Sequence, residues 1–284
     1  NADLVLATDP DADRLGVYVK DAKTGEYHPL TGNMSGSLLC DYVLGQKQAK
    51  GQIPADGQVI KSIVTTNLVN AVAEHYGCEL VEVLTGFKYI GQQILKEEQT
   101  GKGTYMFGME ESYGCLIGTY ARDKDAQIAC VLVAALAASC KLEGVTLTEN
   151  MDRLYRTYGF YDTEVVSVAL DGEEGKKRCA AFIDSLRENC PEEIGGLPVQ
   201  SVADYRNGTA VDKTTGQKST LDFPSSNVLS YGVGEKSRVI LRPSGTEPKL
   251  KIYYFASDET KKAAEHTLEL LKASMSEKMK QAGI

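Results

Sequence analysis

Residues 4–16 read LVLATDPDADRLG, an apolar run that delivers Asp9, Asp11 and Asp13 and is followed at once by Arg14. Leu4, Val5, Leu6 and Ala7 have the pattern of a short buried strand. Pro10 cannot donate a helical hydrogen bond, so the acidic cluster is expected on a loop at a strand end. Like charges at every second position repel one another unless a cation or a basic side chain lies among them. Oxygen-only ligands favour Mg²⁺, Ca²⁺ or Mn²⁺ over zinc or copper. An isolated DxDxD is also what a solvated acidic turn presents. An EF-hand loop counted from Asp9 needs Gly at its sixth position and Glu at its twelfth, where this chain has Arg14 and Lys20, and a strand precedes it instead of a helix. That reading fails. A phosphatase with an aspartate nucleophile also opens on strand, Asp, x, Asp, with Asp9 as nucleophile and Asp11 as acid, and this stretch alone leaves it open.

A chain of 284 residues exceeds one typical domain, so two or three units are expected, each with its own core. A net charge of −8 argues against nucleic acid or an anionic membrane as a general partner, since both need broad neutralisation by Lys and Arg. An anionic small molecule is still allowed where bases cluster. The apolar stretch 128–138 is far short of the roughly 20 residues of a membrane span and reads as a buried helix. The seven cysteines show no CxxC spacing, which suits reduced core thiols in a cytoplasmic protein.

After the acidic loop, residues 15–20 alternate as a second strand and a turn follows around Gly25. From TGNMSG at 31–36 onward, helix and strand patterns alternate. Strands are expected at 59–65, 79–84 and 104–108, and helices from Met34, at 68–76, 89–98, 125–142 and 147–158. Such alternation implies an α/β layer with ligands at strand ends. Past residue 160 the texture changes to a strand at 164–170, a helix at 176–188, short meandering strands to Phe255 and a terminal amphipathic helix. That order suggests a separate α+β domain.

Four further loops look chemical. RPSGTEPK at 242–249 lies between two strands, where Gly245 frees the backbone, Ser244 and Thr246 offer hydroxyls, and Arg242 offers a planar fork for phosphate. A plain hairpin turn would use similar residues. GMEESYG at 108–114 holds Glu110, Glu111 and Ser112 at a strand end, where short polar groups can grip adjacent sugar hydroxyls. YARDKD at 120–125 places Arg122 and Lys124 before an apolar helix, an arrangement that ordinary capping charges also produce. TGFK at 85–88 is a strand-to-helix turn whose Lys88 is placed to meet a phosphate at a helix start. One cation site, one anion loop, one hydroxyl-gripping loop and two basic turns add up to a phosphosugar site.

Together and in this order, ATDPDADRLG, TGFK, GMEESYG, RDKD and RPSGTEPK resemble the loops of the α-D-phosphohexomutase superfamily, which includes phosphoglucomutases and phosphomannomutases. The resemblance implies an α/β fold: a layered α/β/α third domain, a C-terminal α+β domain with an antiparallel sheet and covering helices, and the short remnant of a preceding α/β domain. On that pattern residues 1–33 end the second domain, 34–158 form the third and 159–284 the fourth. It also implies that Asp9, Asp11 and Asp13 are Mg²⁺ ligands, and that Arg14 lies beside the transferring phosphoryl group. Lys124 becomes an acid/base or phosphate contact, with Arg122 and Lys88 near the substrate. Glu110 and Ser112 would hold sugar hydroxyls, while Arg242, Ser244, Gly245 and Thr246 bind the phosphate at rest.

The implied reaction moves a phosphoryl group between the 1 and 6 positions of a hexose phosphate through glucose 1,6-bisphosphate or its analogue. Family members carry a phosphoserine in a segment resembling TASHNP. Nothing here matches it, since Ser35 and Ser37 lie in SGS and no SHN occurs. The chain is therefore expected to be a C-terminal fragment that is inactive alone, and a non-catalytic phosphosugar-binding module is the other reading. The EESYG form is closer to the phosphoglucomutase branch, with relatives acting on pentose phosphates or making glucose 1,6-bisphosphate, than to bacterial phosphomannomutases.

Overall fold

The apolar run becomes β1 (Leu4–Thr8), an edge strand whose residues are half-buried or exposed rather than buried as expected, and the Asp-Pro segment turns the chain into β2 (Leu15–Lys20), antiparallel to it with Thr8 opposite Leu15. The computed structural model describes residues 2–21, 24–244 and 247–284, and the chain divides into two compact units, 1–159 and 160–284. In the first unit β3 (Tyr27–Leu30) adds to β2 as an edge strand, the one place in a sheet where Pro29 costs no ladder bond.

Next comes α1 (Gly32–Ala49), whose cap Thr31 accepts from the Met34 amide. The alternation expected from the sequence then appears as β4 (Gly57–Ser62), α2 (Leu68–His75), β5 (Glu79–Val83), α3 (Phe87–Thr100) and β6 (Thr104–Glu110). Parallel β5 and β6 flank β4, and β7 (Gly114–Leu116) turns back antiparallel onto β6. Every residue of β4 is buried, as a central parallel strand covered on both faces must be. Successive strand residues face opposite ways, and in β6 Gly108 abuts Ile90 of α3 while Met109 abuts Gly36 of α1. Helices therefore cover both faces of the sheet.

The unit closes with α4 (Ala126–Leu142) and α5 (Leu147–Tyr158), the latter started by a Thr146–Glu149 capping box. Asp41 of α1 accepts from the hydroxyls of Tyr76 at 3.1 Å and Tyr158 at 2.8 Å, which ties the ends of α2 and α5 to α1. Helix α4 corrects the reading of 128–138 as a buried helix. Only one face, Ala126, Ala129, Val133, Leu136 and Cys140, is buried, while Val131 is 62 % exposed. On another side Ala134, Ala137 and Ala138 leave a cleft of about 460 Å³ against Leu4 and Val19, because alanines are too small to fill it. Among the described residues no single helix is long and apolar enough to cross a membrane. All seven cysteines are free, and burial pushes the Cys40, Cys78 and Cys140 thiols up.

The second unit begins with β8 (Phe160–Ala169), α6 (Gly172–Glu188), β9 (Glu193–Ile194), β10 (Leu197–Asp204), β11 (Thr209–Asp212) and β12 (Lys218–Thr220). It ends with β13 (Leu229–Val233), β14 (Ser237–Pro243), β15 (Lys249–Asp258) and α7 (Lys261–Gln281). The strands form one antiparallel sheet in the order β12-β11-β10-β13-β14-β15-β8, with β9 paired to β10. Phe182 and Ile183 of α6 and Leu268, Leu271 and Met275 of α7 pack with Val239, Leu241 and Ile252 of the sheet in one core.

Two buried features in the first unit generate predictions. Glu97 on α3 is 5 % exposed, and one of its carboxylate oxygens has no hydrogen-bond partner. Burial, with Asp56 and Glu79 adding to it, pushes its carboxyl from the ordinary 4.5 up to about 7 against the opposing bonds from Gln93 and the Tyr105 amide. Between those values the folded chain keeps a proton that the unfolded chain releases, so this group's contribution to stability is lost as pH rises through the window. Glu97→Gln is expected to stabilise the protein by about 1–3 kcal/mol at pH 8 and by nothing near pH 4. Denaturant melts at the two pH values check this; equal gains at both would contradict it. At the start of α1, a Cβ on Gly32 would lie 2.1 Å from the Glu111 carbonyl oxygen and 2.6 Å from the Tyr113 nitrogen. Both are backbone atoms that cannot swing aside, so Gly32→Ala is expected to cost about 2–3 kcal/mol in the same melts.

Candidate functional site

The Asp9 loop begins where β1 ends, and its shape is set by its own first carboxylate. Asp9 Oδ1 accepts from the amides of Asp13 and Arg14, each at 3.2 Å, and the Ala12 amide donates to the Asp9 carbonyl at 3.0 Å. The tight turn puts Ala12 at φ 54°, a left-handed conformation that a non-glycine residue takes only when its surroundings fix it. Partial burial raises the Asp9 carboxyl, but the two amides and the Arg14 charge outweigh it and leave the group below its usual range. Arg14 Nε lies 3.7 Å from Asp13 and 4.0 Å from Asp9. Asp11 is exposed at the tip.

Two backbone bonds stitch this loop to the others. The Leu15 amide donates to the Tyr113 carbonyl at 3.1 Å, and the Ala126 amide to the Ala12 carbonyl at 3.1 Å. The metal-type loop, the GMEESYG loop and the RDKD segment are thereby brought together. Tyr113, at φ 71°, is the second non-glycine residue with a left-handed backbone, and it lies in this same junction.

Lys124 sits at the centre. Its ammonium is 3.0 Å from Asp13 Oδ2 and 2.8 Å from Asp123 Oδ1, and it stands 5.4 Å from the centroid of the Phe87 ring. Burial works against its charge, but Asp123 and Asp13 outweigh that and raise the group, so it stays protonated. A side chain on Gly114 would overlap the Lys124 stem, with a Cβ only 2.0 Å from Cδ, so the glycine leaves the lysine its channel. Glu110, 5 % exposed, accepts from the Gly86 amide at 2.7 Å. Burial raises its carboxyl against the pull of that amide and of Lys124 and Arg14.

The remaining candidates are dispersed. Ser112 is half-buried on the same loop as Glu110. Arg122 turns away from Lys124: its guanidinium takes both oxygens of Glu98, at 2.6 and 2.7 Å, and the carbonyls of Thr119 and Ala121. Lys88 is exposed, with its ammonium 4.9 Å from the centroid of the Tyr89 ring. In the second unit Arg242 is opposite Lys251 across the ladder. The loop after it is closed by the Ser244 amide on the Lys249 carbonyl at 2.8 Å, and Ser244 Oγ accepts from the Glu247 amide at 3.2 Å. Beside it lies a cavity of about 260 Å³ bordered by Lys176, Asn227, Ser244 and Lys249. Gly245 and Thr246, also expected to bind phosphate, lie outside the described residues.

The donor set of Asp9, Asp11 and Asp13 is all oxygen, which suits a hard divalent cation. Among the described residues these carboxylates are not gathered about one point, since Asp13 faces Lys124 and Arg14 while Asp9 is tied to its own loop. Sequence reasoning did not single out Phe87 beneath Lys124, the Gly86 amide on Glu110, or Thr85, whose hydroxyl is buried without a hydrogen-bond partner. The signal for all three was the TGFK turn, from which only Lys88 had been taken.

The family model described as phosphoglucomutase/phosphomannomutase, alpha/beta/alpha domain III, matches residues 31–158, and that described as the C-terminal domain of the same family matches residues 207–272. A phosphoglucomutase of Staphylococcus aureus (strain MRSA252) is 38 % identical over 256 residues, which are 89 % of this chain and 44 % of that protein. Parafusin (phosphoglucomutase) from Paramecium, in an open form, is similar in structure with a TM-score of 0.66 at 19 % identity, over 99 % of this chain and 45 % of that one. N-acetylphosphoglucosamine mutase of Aspergillus fumigatus, in complex with GlcNAc-6P and magnesium, matches with a TM-score of 0.55 at 14 % identity, over 98 % of this chain and 49 % of that one. The chain thus spans less than half the length of the curated relatives it matches. With two domains of one family matched in order, over more than half of its residues, the chain belongs to the phosphoglucomutase/phosphomannomutase family.

Proposed function

We propose that this chain supplies the metal loop, the sugar-recognition domain and the phosphate-binding domain of a Mg²⁺-dependent phosphohexomutase. The enzyme would move a phosphoryl group between the 1 and 6 positions of a hexose through a bisphosphate such as glucose 1,6-bisphosphate. On this reading residues 1–33 end the second domain, 34–158 are the third and 159–284 the fourth. The observation that carries it is the convergence on Lys124, with Asp13 3.0 Å away on one loop and Asp123 2.8 Å away on another, beside a buried Glu110.

Asp9, Asp11 and Asp13 would hold Mg²⁺, whose part is to withdraw charge from the phosphoryl oxygens as transfer proceeds. Arg14 and Lys124 bring two cations to the same place, and either can donate hydrogen bonds to those oxygens. Lys124 also has a proton to give to a departing or arriving hydroxyl. Glu110 and Ser112 would accept from or donate to adjacent sugar hydroxyls, with Lys88 on a neighbouring turn as a further contact, while Arg122 would have to leave Glu98 to join them. Arg242, Ser244, Gly245 and Thr246 would take the phosphate that is not being transferred, and positioning would supply most of the catalysis.

The phosphoserine would come from the rest of a longer protein, and seven free thiols suit a cytoplasmic setting. Asp9 gains no support as a nucleophile, because one of its oxygens already accepts two backbone amides that order its loop.

The test is a coupled assay on the full-length protein with glucose 1-phosphate, Mg²⁺ and a trace of glucose 1,6-bisphosphate, with mannose 1-phosphate alongside. Isomerisation is expected, and Asp11→Asn is expected to raise the Mg²⁺ concentration needed for half-maximal rate. Release of inorganic phosphate without isomerisation would overturn the mutase reading. Arg242→Ala is expected to weaken hexose phosphate binding by roughly 1.5–3 kcal/mol, the scale of a charge-assisted hydrogen bond, as read by titration. Unchanged affinity would remove the anion-loop assignment.

A further inference from the structure

Beneath the GMEESYG loop lies a polar assembly that none of the sequence motifs includes. Lys61 and Ser62 end β4, and both are wholly buried. Lys61 Nζ donates to the carbonyls of Thr65 at 3.0 Å and Thr66 at 3.3 Å and to Asn67 Oδ1 at 3.0 Å, and it stands 3.1 Å from Glu82 Oε1. A buried ammonium with that many oxygen partners fixes the turn 63–67 against the strand end. From this turn two bonds reach the neighbouring elements. The Thr66 amide donates to Asn33 Oδ1 at 3.1 Å in the first turn of α1, next to the Gly32 that touches the Glu111 carbonyl. Ser62 Oγ, 2.8 Å from Thr65 Oγ1, lies 3.2 Å from Glu111 Oε2 and donates to it.

Glu110 is the last residue of β6 and Glu111 the first of the turn, and their side chains go to different partners. One carboxylate is held by the Gly86 amide, the other by Ser62. Pinning Glu111 on one side fixes the rotation of the backbone between them, and with it the direction in which Glu110 and Ser112 present their oxygens.

We propose that Ser62 and Glu111, seated on the turn that Lys61 anchors, are positioning residues that set the Glu110–Ser112 loop for hexose recognition. The proposal rests on the phosphohexomutase reading and adds residues that touch no substrate. Ser62→Ala and Glu111→Ala each remove the tether, whereas Glu111→Gln keeps an oxygen that can accept from Ser62.

The experiment combines two readouts in the full-length protein. Steady-state kinetics with glucose 1-phosphate are expected to show KM raised by about 3- to 10-fold in Ser62→Ala and in Glu111→Ala, the weight of one ordinary net hydrogen bond, with kcat within about twofold. Glu111→Gln should restore KM close to wild type, and the double alanine variant should be no worse than the weaker single variant, as expected for two ends of one interaction. Hydrogen exchange without sugar provides the second readout: amides of residues 110–114 should exchange faster in Ser62→Ala while those of 160–284 do not change. Unchanged exchange at 110–114, unaltered KM in both single variants, or a double variant equal to the product of its singles would overturn the proposal. Absence of hexose phosphate turnover in the wild type would instead overturn the functional reading, and the exchange result would still decide whether the tether sets the loop.

Discussion

The arrangement of the first unit depends on one buried cation placed among carboxylates. Lys124 reaches Asp13 from the acidic loop and Asp123 from its own segment, and its stem runs through the space that Gly114 leaves. Removing its charge would leave Asp13 and Asp123 facing each other with only Arg14 close by, a repulsion that low-dielectric surroundings magnify. The ion pairs are costly in desolvation and are offset only because several partners converge. That convergence requires the Leu15–Tyr113 and Ala126–Ala12 backbone bonds, which fix the separation of the loops. Two left-handed non-glycine residues, Ala12 and Tyr113, lie in the same junction, so local backbone strain is held by the contacts around it.

The glycines at this junction act through space more than through backbone freedom. Gly32 lets the start of α1 lie on the Glu111 carbonyl, and Gly114 clears the path of Lys124. Neither needs a positive φ, so their identity follows from close approach. The segment 110–114 is thereby confined from below by α1, from the side by Ser62, and from above by the Asp9 loop.

How much of this was legible depended on whether the cause was local. Pro10 after an apolar run fixed the acidic cluster to a strand end, and the structure has β1 ending at Thr8. The alternation of period-2 and period-3.6 patterns gave the elements from α1 to α5 other than β7 with small boundary shifts, such as β4 ending at Ser62 short of the expected Thr65. β3 carries no strand signal, because His28 and Pro29 lack strand character and three of its four residues are exposed. β7 was missed because three residues are too short for a period to show. The one-sided burial of α4 was hidden by its composition, since an all-apolar stretch has no polar face to mark the exposed side. At the site, RDKD alone looks like capping charges, and the role of Lys124 emerges only with Asp13, a partner far earlier in the chain. Arg122, its neighbour by sequence, turns to Glu98 instead. Lys61 did carry a signal, a charged residue within an apolar strand, and a buried lysine with four oxygen neighbours is what such a residue requires.

The charge balance of the junction bears on what it can bind. Asp9, Asp11, Asp13, Asp123, Glu110 and Glu111 are opposed there by Arg14 and Lys124, in a chain that already carries −8. A phosphorylated ligand adds further negative charge, and two bases already engaged with carboxylates cannot neutralise both. Burial lifts the Glu110 carboxyl, whereas Asp9 is held low by its own loop. On the proposed reading, a divalent cation held by the aspartates would lower the carboxylate excess and would free Arg14 and Lys124 for the anion. The acidic loop would then make phosphate binding possible in an acidic protein, because it would supply positive charge through a bound ion rather than through its own side chains.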